Sequence, residues 1–319
     1  MTTQLISVIQ KKIPAHTKPV NYLMDALDLG RESAYRRLRG EIPFSFEEVA
    51  LLSSKLDFSI DEIITNEPRR LYSNFPSNSD EASEKFLGMM KQYSKHYYTS
   101  SAEITIVQNR SLFITVISSE LLLRFHYYRF LHQINHIASN CVFADLQLPK
   151  KILTLQNDLI KRSPEVKQIT IIYDKRMLRN LCREMHYFYR RQLVSHQEVI
   201  ALQEALNNSL TRMYKKLTTP QDINKTPMFY YVSVFDINVN TIYIQHDNNI
   251  ISQFWVFPFS IIEIKNSEIC RVHKYFLDMV KKYSALISQS NELVREEFVA
   301  QQRKYIDGII DNNSEFLLV

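Results

Sequence analysis

The sequence predicts a mainly α protein in two parts. Five short helices occupy residues 1–66, and beyond a linker at 67–83 a large helical region, 84–319, ends in a small antiparallel sheet with two covering helices. Three observations carry this expectation. Apolar residues recur at helical spacing through most of the 319 positions. The segment EPRRLYSNFPSNSDEAS at 67–83 sets two prolines among Ser and Asn without a sustained apolar period, which is the texture of a linker. From Met228 to Ile264 the chain changes to β-branched and aromatic runs, FYYVSVFDI, TIYIQ and IISQFWVFPF, with HDNN as a turn between the last two.

The N-terminal helices are expected at about 3–13, 19–28, 31–39, 45–56 and 59–65, with Pro14 and Pro19 around the first gap, Gly30 and Gly40 bracketing the third, and Pro43 ahead of the fourth. Ser45 with Glu48, and Ser59 with Glu62, have the spacing of capping boxes. Past the linker, helices are expected near 80–101, 103–138, 149–162, 174–193 and 196–217. Pro149 and Asp174 suit helix starts, and Ser195 with Glu198 suits another capping box. After the sheet, helices near 267–288 and 291–311 close the chain. Ile269, Val272, Phe276, Val280 and Tyr283 share one face of the first and are expected to lie on the sheet. Whether 84–319 divides again near 218–228 stays open.

Composition removes several chemistries. The four glycines, Gly30, Gly40, Gly88 and Gly308, are too scattered for a dinucleotide fingerprint, a Walker loop or a nucleophile elbow, each of which needs glycines within a few residues of one another. Cys141, Cys182 and Cys270 form no CxxC pair and suit a reduced setting. The most apolar neighbourhood, Leu112 to Leu131, contains Glu120, Arg124, His126 and Arg129, each costly at a bilayer centre, and MTTQLISVIQKK lacks the order of a secretion signal. The chain therefore reads as soluble, cytoplasmic and without a membrane partner. Its net charge of +5 says little by itself, and residues 1–66 carry eight basic against nine acidic side chains.

The most informative segment is Gly30-Arg-Glu-Ser-Ala-Tyr-Arg-Arg-Leu-Arg-Gly40, a short helix with four arginines between two glycines. Tyr35 and Leu38, three apart, are expected to point into the core, leaving Glu32, Ser33, Arg36 and Arg37 toward solvent with Arg31 and Arg39 at the ends. A short Arg-faced helix preceded by the apolar helix Val20 to Leu29 and a turn has the geometry for a major groove. NYLMDALDLGRESAYRRLRGEIPFSFEEVALLSSKLDFSIDEII resembles the helix-turn-helix of Xre-like, phage-repressor-type transcriptional regulators, particularly a Bacteroidetes version, over residues 1–66. The resemblance implies a five-helix repressor-like fold with its core anchors at Tyr35 and Leu38, and base-contacting positions at Glu32, Ser33 and Arg37. The family often has Gln, Ser or Asn there, whereas Glu32 is acidic.

In chemical terms, Arg36 or Arg37 can donate a bidentate pair to guanine, Ser33 can donate or accept, and Glu32 can accept from cytosine N4. Arg31, Arg39, Lys18 and the amides that open the second helix suit phosphate contacts. The plainer alternative is a solvated basic face complementing the helix dipole at its C-terminal end. His132 and His136, with Cys141 and His126 nearby, and Cys182 with His186, have helical spacings that can ligate zinc, but they read better as packed or surface side chains. FHYYRF at 125–130 and HYFYRR at 186–191 read as core aromatics with Arg stems reaching outward. Asp236, Asp247, Glu263 and Glu268 surround the expected sheet with nothing to bring any two together, and Trp255 reads as core.

The expectation is a sequence-specific DNA-binding regulator with no catalytic residues, metal or cofactor. Its partners are double-stranded DNA and a second copy of itself, and its C-terminal region serves dimerisation, with room for a small-molecule or peptide effector. Two other classes remain open: an enzyme tied to the N-terminal domain, and an assembly factor whose helix-turn-helix makes protein contacts.

Overall fold

A computed structural model describes residues 2–14, 16–56, 58, 78–97, 101–110, 117–162, 164–219, 226–247, 249–257 and 260–311. The chain divides into two compact units, Met1–Asn74 and Phe75–Val319. The expected helix at 59–65, the Ser59–Glu62 box and most of the 67–83 segment lie outside the described residues, but 79–83 already belong to a helix.

In the first unit, α1 (Thr2–Lys12), α2 (Pro19–Leu27), α3 (Arg31–Leu38) and α4 (Phe46–Leu56) enclose a core of Ile9, Val20, Leu23, Ala34, Leu52 and Leu56. Lys55 reaches across to the Ala26 carbonyl at 3.2 Å and satisfies one of the open acceptors at the end of α2.

The second unit corrects the expected architecture. A small antiparallel sheet at the end of a helical region is replaced by a seven-stranded mixed sheet running through the whole unit. Its order is β6-β5-β4-β1-β2-β3-β7, built from β1 (Glu103–Gln108), β2 (Gln168–Tyr173), β3 (Met228–Ser233), β4 (Thr241–His246), β5 (Asn249–Phe257), β6 (Ser260–Ile264) and β7 (Ser284–Leu286). The three central strands β1, β2 and β3 are parallel, while β4–β5–β6 on one side and β7 on the other are antiparallel. Parallel strands need crossovers of a dozen residues or more. α6 (Glu120–Gln133) and α7 (Lys150–Lys161) supply the first, and α8 (Arg179–Arg190) and α9 (His196–Thr218) the second. A strand, EITIVQ, stands where a helix was expected to begin at 103, and a second, QITIIY, fills a stretch with no assigned element. Both are buried nearly throughout, and a continuous apolar run of this length has no period to separate strand from helix. β7 likewise occupies the end of the helix expected at 267–288.

Side chains alternate across the sheet. Ile104, Ile106, Ile169, Ile171, Tyr173 and Tyr230 face a thick helical layer formed by α6, α8, α9 and α11 (Glu292–Asp307). α5 (Ser79–Ser94) and α7 join α6 in a second apolar cluster through Phe86, Met90, Leu123, Phe130, Ile152 and Leu159. Val107, Ile172 and Tyr243 point the other way, where α10 (Ser267–Lys282) covers them with Cys270, Leu277 and Val280. The two closing helices thus lie on opposite faces of the sheet rather than together on one. α11 is anchored by the fully buried Gln302, which accepts from the Leu178 amide at 3.0 Å and donates to the Lys175 carbonyl at 2.8 Å. The expected capping box at Ser195 and Glu198 is present in full.

α10 also departs from its expected orientation. Val280 is buried as expected, but Ile269, Val272, Phe276 and Tyr283 are exposed, and the face on the sheet is Cys270, His273, Leu277 and Val280.

Several histidines of this unit are held neutral. Burial, reinforced by Arg129 and Arg110, drives His126 well below its ordinary value. Burial likewise takes His273, whose Nδ1 pairs with Ser252 Oγ at 2.8 Å, down to about 4. A base with a depressed folded-state value stabilises the fold above its unfolded value and loses that contribution as pH falls toward the folded one. For His273 the window is from 6.5 down to about 4. Urea unfolding of the full chain is expected to weaken across it, with His273→Phe removing on the order of 2–3 kcal/mol of the fall. Identical slopes for wild type and variant would refute this assignment.

Candidate nucleic-acid interface

Residues 18–48 build this surface from their local chemistry. Pro19 opens α2, where its fixed φ suits the first helical position, and Lys18 precedes it in an extended conformation. No side chain caps this end and no acidic residue lies in its first turn, so the positive end of the helix is uncompensated beside Lys18. The turn to α3 is made by Asp28 in the left-handed region (φ 51°), and the Leu29 amide donates to the Met24 carbonyl at 3.1 Å. Gly30 is extended (φ −65°, ψ 151°), and a Cβ there would meet nothing within 4 Å. The second helix, expected over about 19–28, ends at Leu27, with Asp28 making the turn.

Gly40 does have a conformational role. At φ +76° it follows the last turn of α3 in a Schellman motif, its amide donating to the Arg37 carbonyl at 3.0 Å and the Glu41 amide to the Arg36 carbonyl at 2.9 Å.

The face that α3 turns inward differs from the expected one. Ala34 is fully buried and Leu38 partly so, whereas Tyr35 is 40 % exposed. α3 approaches α2 at Ala34, and a methyl group fits there where a tyrosine ring does not. This rotation of about one residue, near 100° of helix, carries Arg37 and Ser33 inward as well. The Arg37 side chain is only 14 % exposed. Its Nε and Nη2 donate to the two oxygens of Glu48 at 3.1 and 2.7 Å, and its Nη1 donates to Ser33 Oγ at 2.6 Å. Glu48 also completes the expected capping box, accepting from the Ser45 amide at 2.9 Å while its own amide donates to Ser45 Oγ at 3.2 Å. Arg37 and Ser33, expected toward solvent, thus turn inward and tie α3 to the start of α4.

The outward stripe consists of Arg31, Glu32, Tyr35, Arg36 and Arg39. Arg39 donates to Glu41 at 2.6 and 3.2 Å and to Glu32 at 3.4 Å, and Arg36 lies 3.5 Å from Glu41. Hydrogen bonds from Arg39, above all, hold the Glu41 carboxyl below its ordinary range. These exposed ion pairs contribute little to stability, and an anion can displace them. Arg31 is exposed with no ion pair among the described residues. Tyr35 and Glu41 were missed in the sequence. The signal available for Tyr35 was the Ala34–Leu38 spacing, as good an i, i+4 pair as Tyr35–Leu38 is an i, i+3 one. No family model, no curated protein and no solved structure matches the chain.

Several polar groups elsewhere are committed to structure. At the C-terminal ends of β1 and β2, a usual place for ligands in parallel sheets, Asp174 accepts from the Arg176 and Ile237 amides at 2.7 Å each. Asn109 donates to the Ile237 carbonyl at 2.6 Å and takes Asn240 Oδ1 on its amide at 2.7 Å. Glu263 lies 3.6 Å from His96, and Asp236 pairs with Arg176 at 2.6 Å. His132 packs on Tyr128 and Phe188, and His186 Nδ1 meets the Ile309 carbonyl at 2.9 Å. Among the described residues no three His, Cys, Asp or Glu side chains converge on a metal-binding point, and no helix is long and apolar enough to cross a membrane.

Peptide-resolved hydrogen exchange across residues 2–56 of the full chain tests this account of α3. Gly40→Ala is expected to lower protection by about 1–2 kcal/mol because φ is positive. Arg37→Ala is expected to lower it by about 1.5–3 kcal/mol by leaving Glu48 without its charged partner.

Proposed function

We propose that the chain is a sequence-specific DNA-binding regulator that inserts α3 into the major groove. The observation that carries this reading is the outward stripe of α3, in which three guanidinium groups and a phenol project from one short helix that Ala34, Leu38 and the Arg37–Glu48 pair hold fixed. Arg36, at mid-stripe, is the residue for a bidentate contact to guanine O6 and N7. Tyr35 beside it offers a ring to a thymine methyl and a hydroxyl to a phosphate. Arg31, Arg39, Lys18 and the uncapped amides of α2 face phosphates and set the register.

Glu32 and Glu41 hold arginine side chains in the absence of nucleic acid. Exchanging a carboxylate for a phosphate oxygen costs little at an exposed site, so these acids lower non-specific binding without blocking a matched operator. One recognition helix of this length gives limited contact, and regulators of this type present two, about 34 Å apart, to half-sites one turn distant. The second unit, with its own extensive core, supplies the dimer in this reading.

Selection from a random duplex library with the full chain is expected to return a palindromic motif. Arg36→Ala should relax one position of each half-site by about 1–3 kcal/mol, Arg31→Ala should weaken all sequences alike and lower the salt slope by about 1, and Glu41→Gln should tighten non-specific binding. No enrichment, or enrichment indifferent to Arg36 and Arg31, would overturn the reading.

A further inference from the structure

α10 carries two apolar faces and the sheet covers only one. The buried face, Cys270, His273, Leu277 and Val280, lies against β3, β4 and β5. The other face is Ile269, Val272, Phe276, Met279 and Tyr283, with spacings of three, four, three and four. That is the a/d pattern of a coiled-coil seam, on a helix about 24 Å long. Four of the five are strongly exposed, Val272 at 62 % and Phe276 at 53 % among them, and Met279 is half-buried. The β3–β4 loop widens the patch with Phe235, whose ring meets Tyr283 edge to face at 5.5 Å, and with Val234. A contiguous apolar surface of this kind marks an association site.

Charge selects the occupant. Glu268, Tyr275 and Lys282 precede Ile269, Phe276 and Tyr283 by one residue each, so they form one rim of the seam, acidic at its start and basic at its end. The opposite rim, His273 and Val280, is buried under the sheet. A parallel pair would set the free rim of one helix against the buried rim of its neighbour. An antiparallel pair sets free rim against free rim, brings Glu268 to Lys282 of the second copy at both ends, and opposes the helix dipoles. The positions Ile269, Val272, Phe276 and Met279 keep the spacing three, four, three when read in either direction, so an antiparallel pair sets Val272 against Phe276 of the second copy across a two-fold axis between them.

We propose that α10 pairs antiparallel with α10 of a second copy, with Val272 and Phe276 facing each other across the two-fold axis, and that this is the dimer interface of the protein. It specifies the dimer that the DNA-binding reading calls for. Its test reads association without DNA, so its failure leaves the role of α3 standing.

Sedimentation of the full chain across a micromolar concentration range is expected to show a reversible dimer. Phe276→Asp should raise the dissociation constant at least about tenfold. Circular dichroism should be unchanged, since the position is exposed. Glu268→Lys and Lys282→Glu should each weaken the dimer severalfold at low salt. The two substitutions combined in one chain should restore it, because opposite charges then meet again at both ends of the pair with their signs exchanged. A chain that stays monomeric at tens of micromolar would overturn the proposal and leave this face to a different partner. A dimer indifferent to Phe276→Asp, or one that the double reversal fails to restore, would overturn it as well.

Discussion

Three parallel strands with apolar side chains on both faces cannot stand without cover on both, and the second unit is organised around that requirement. Ile106 and Val107, adjacent in β1, point to opposite sides, as do Ile171 and Ile172 in β2. The crossovers between parallel strands place long helices on one side, where they build the thick layer with Phe125, Met185 and Leu206, joined by Phe298 of α11. Among the described residues the other side receives no crossover helix. It is closed by α10, which reaches it only after the chain has added the antiparallel strands β4, β5 and β6. A single helix over a broad sheet has one apolar face to give inward, and the second face of α10 is left turned outward.

The first unit depends on a smaller constraint of the same kind. α3 is short, exposes most of its circumference, and is secured to the core by Ala34 and part of Leu38. The bidentate Arg37–Glu48 pair, with Ser33 and the Ser45 capping box, adds a polar tether from the far side of the helix. Charge-assisted, partly buried and geometrically specific, such a pair fixes rotation about the helix axis better than a few apolar contacts can. The pair thereby decides which of the two arginines is turned to solvent, since a rotation of one residue would exchange Arg36 and Arg37. Two arginines adjacent in sequence therefore have unlike environments, one spanning helices and one in solvent.

Much of this organisation is readable from residue pattern. The first four N-terminal helices, the capping boxes at Ser45 and Ser195 and the strands between Met228 and Ile264 follow from local signals: punctuation by Pro and Gly, an oxygen three residues before a Glu, alternation of two or of three to four. The strands β1 and β2 were not readable because being buried on both faces erases alternation. Tyr35 and Ala34 exchanged places because helical spacing identifies a stripe but not which of two adjacent stripes wins. Closeness of the neighbouring helix decided for the methyl group.

α10 shows the division between the two levels most sharply. Its sequence by itself determined an amphipathic helix with more apolar surface than one contact can bury, and it set the heptad of Ile269, Val272, Phe276, Met279 and Tyr283. Only the tertiary structure decided which of its apolar faces the sheet would take. Cys270, His273 and Leu277 lie within about 100° of the heptad stripe on the helical wheel, so local periodicity ranks the two faces almost equally. The narrow side chain of Cys270 and the hydrogen bond between His273 and Ser252 fit the surface that β3, β4 and β5 present, and that surface exists only once distant strands have assembled.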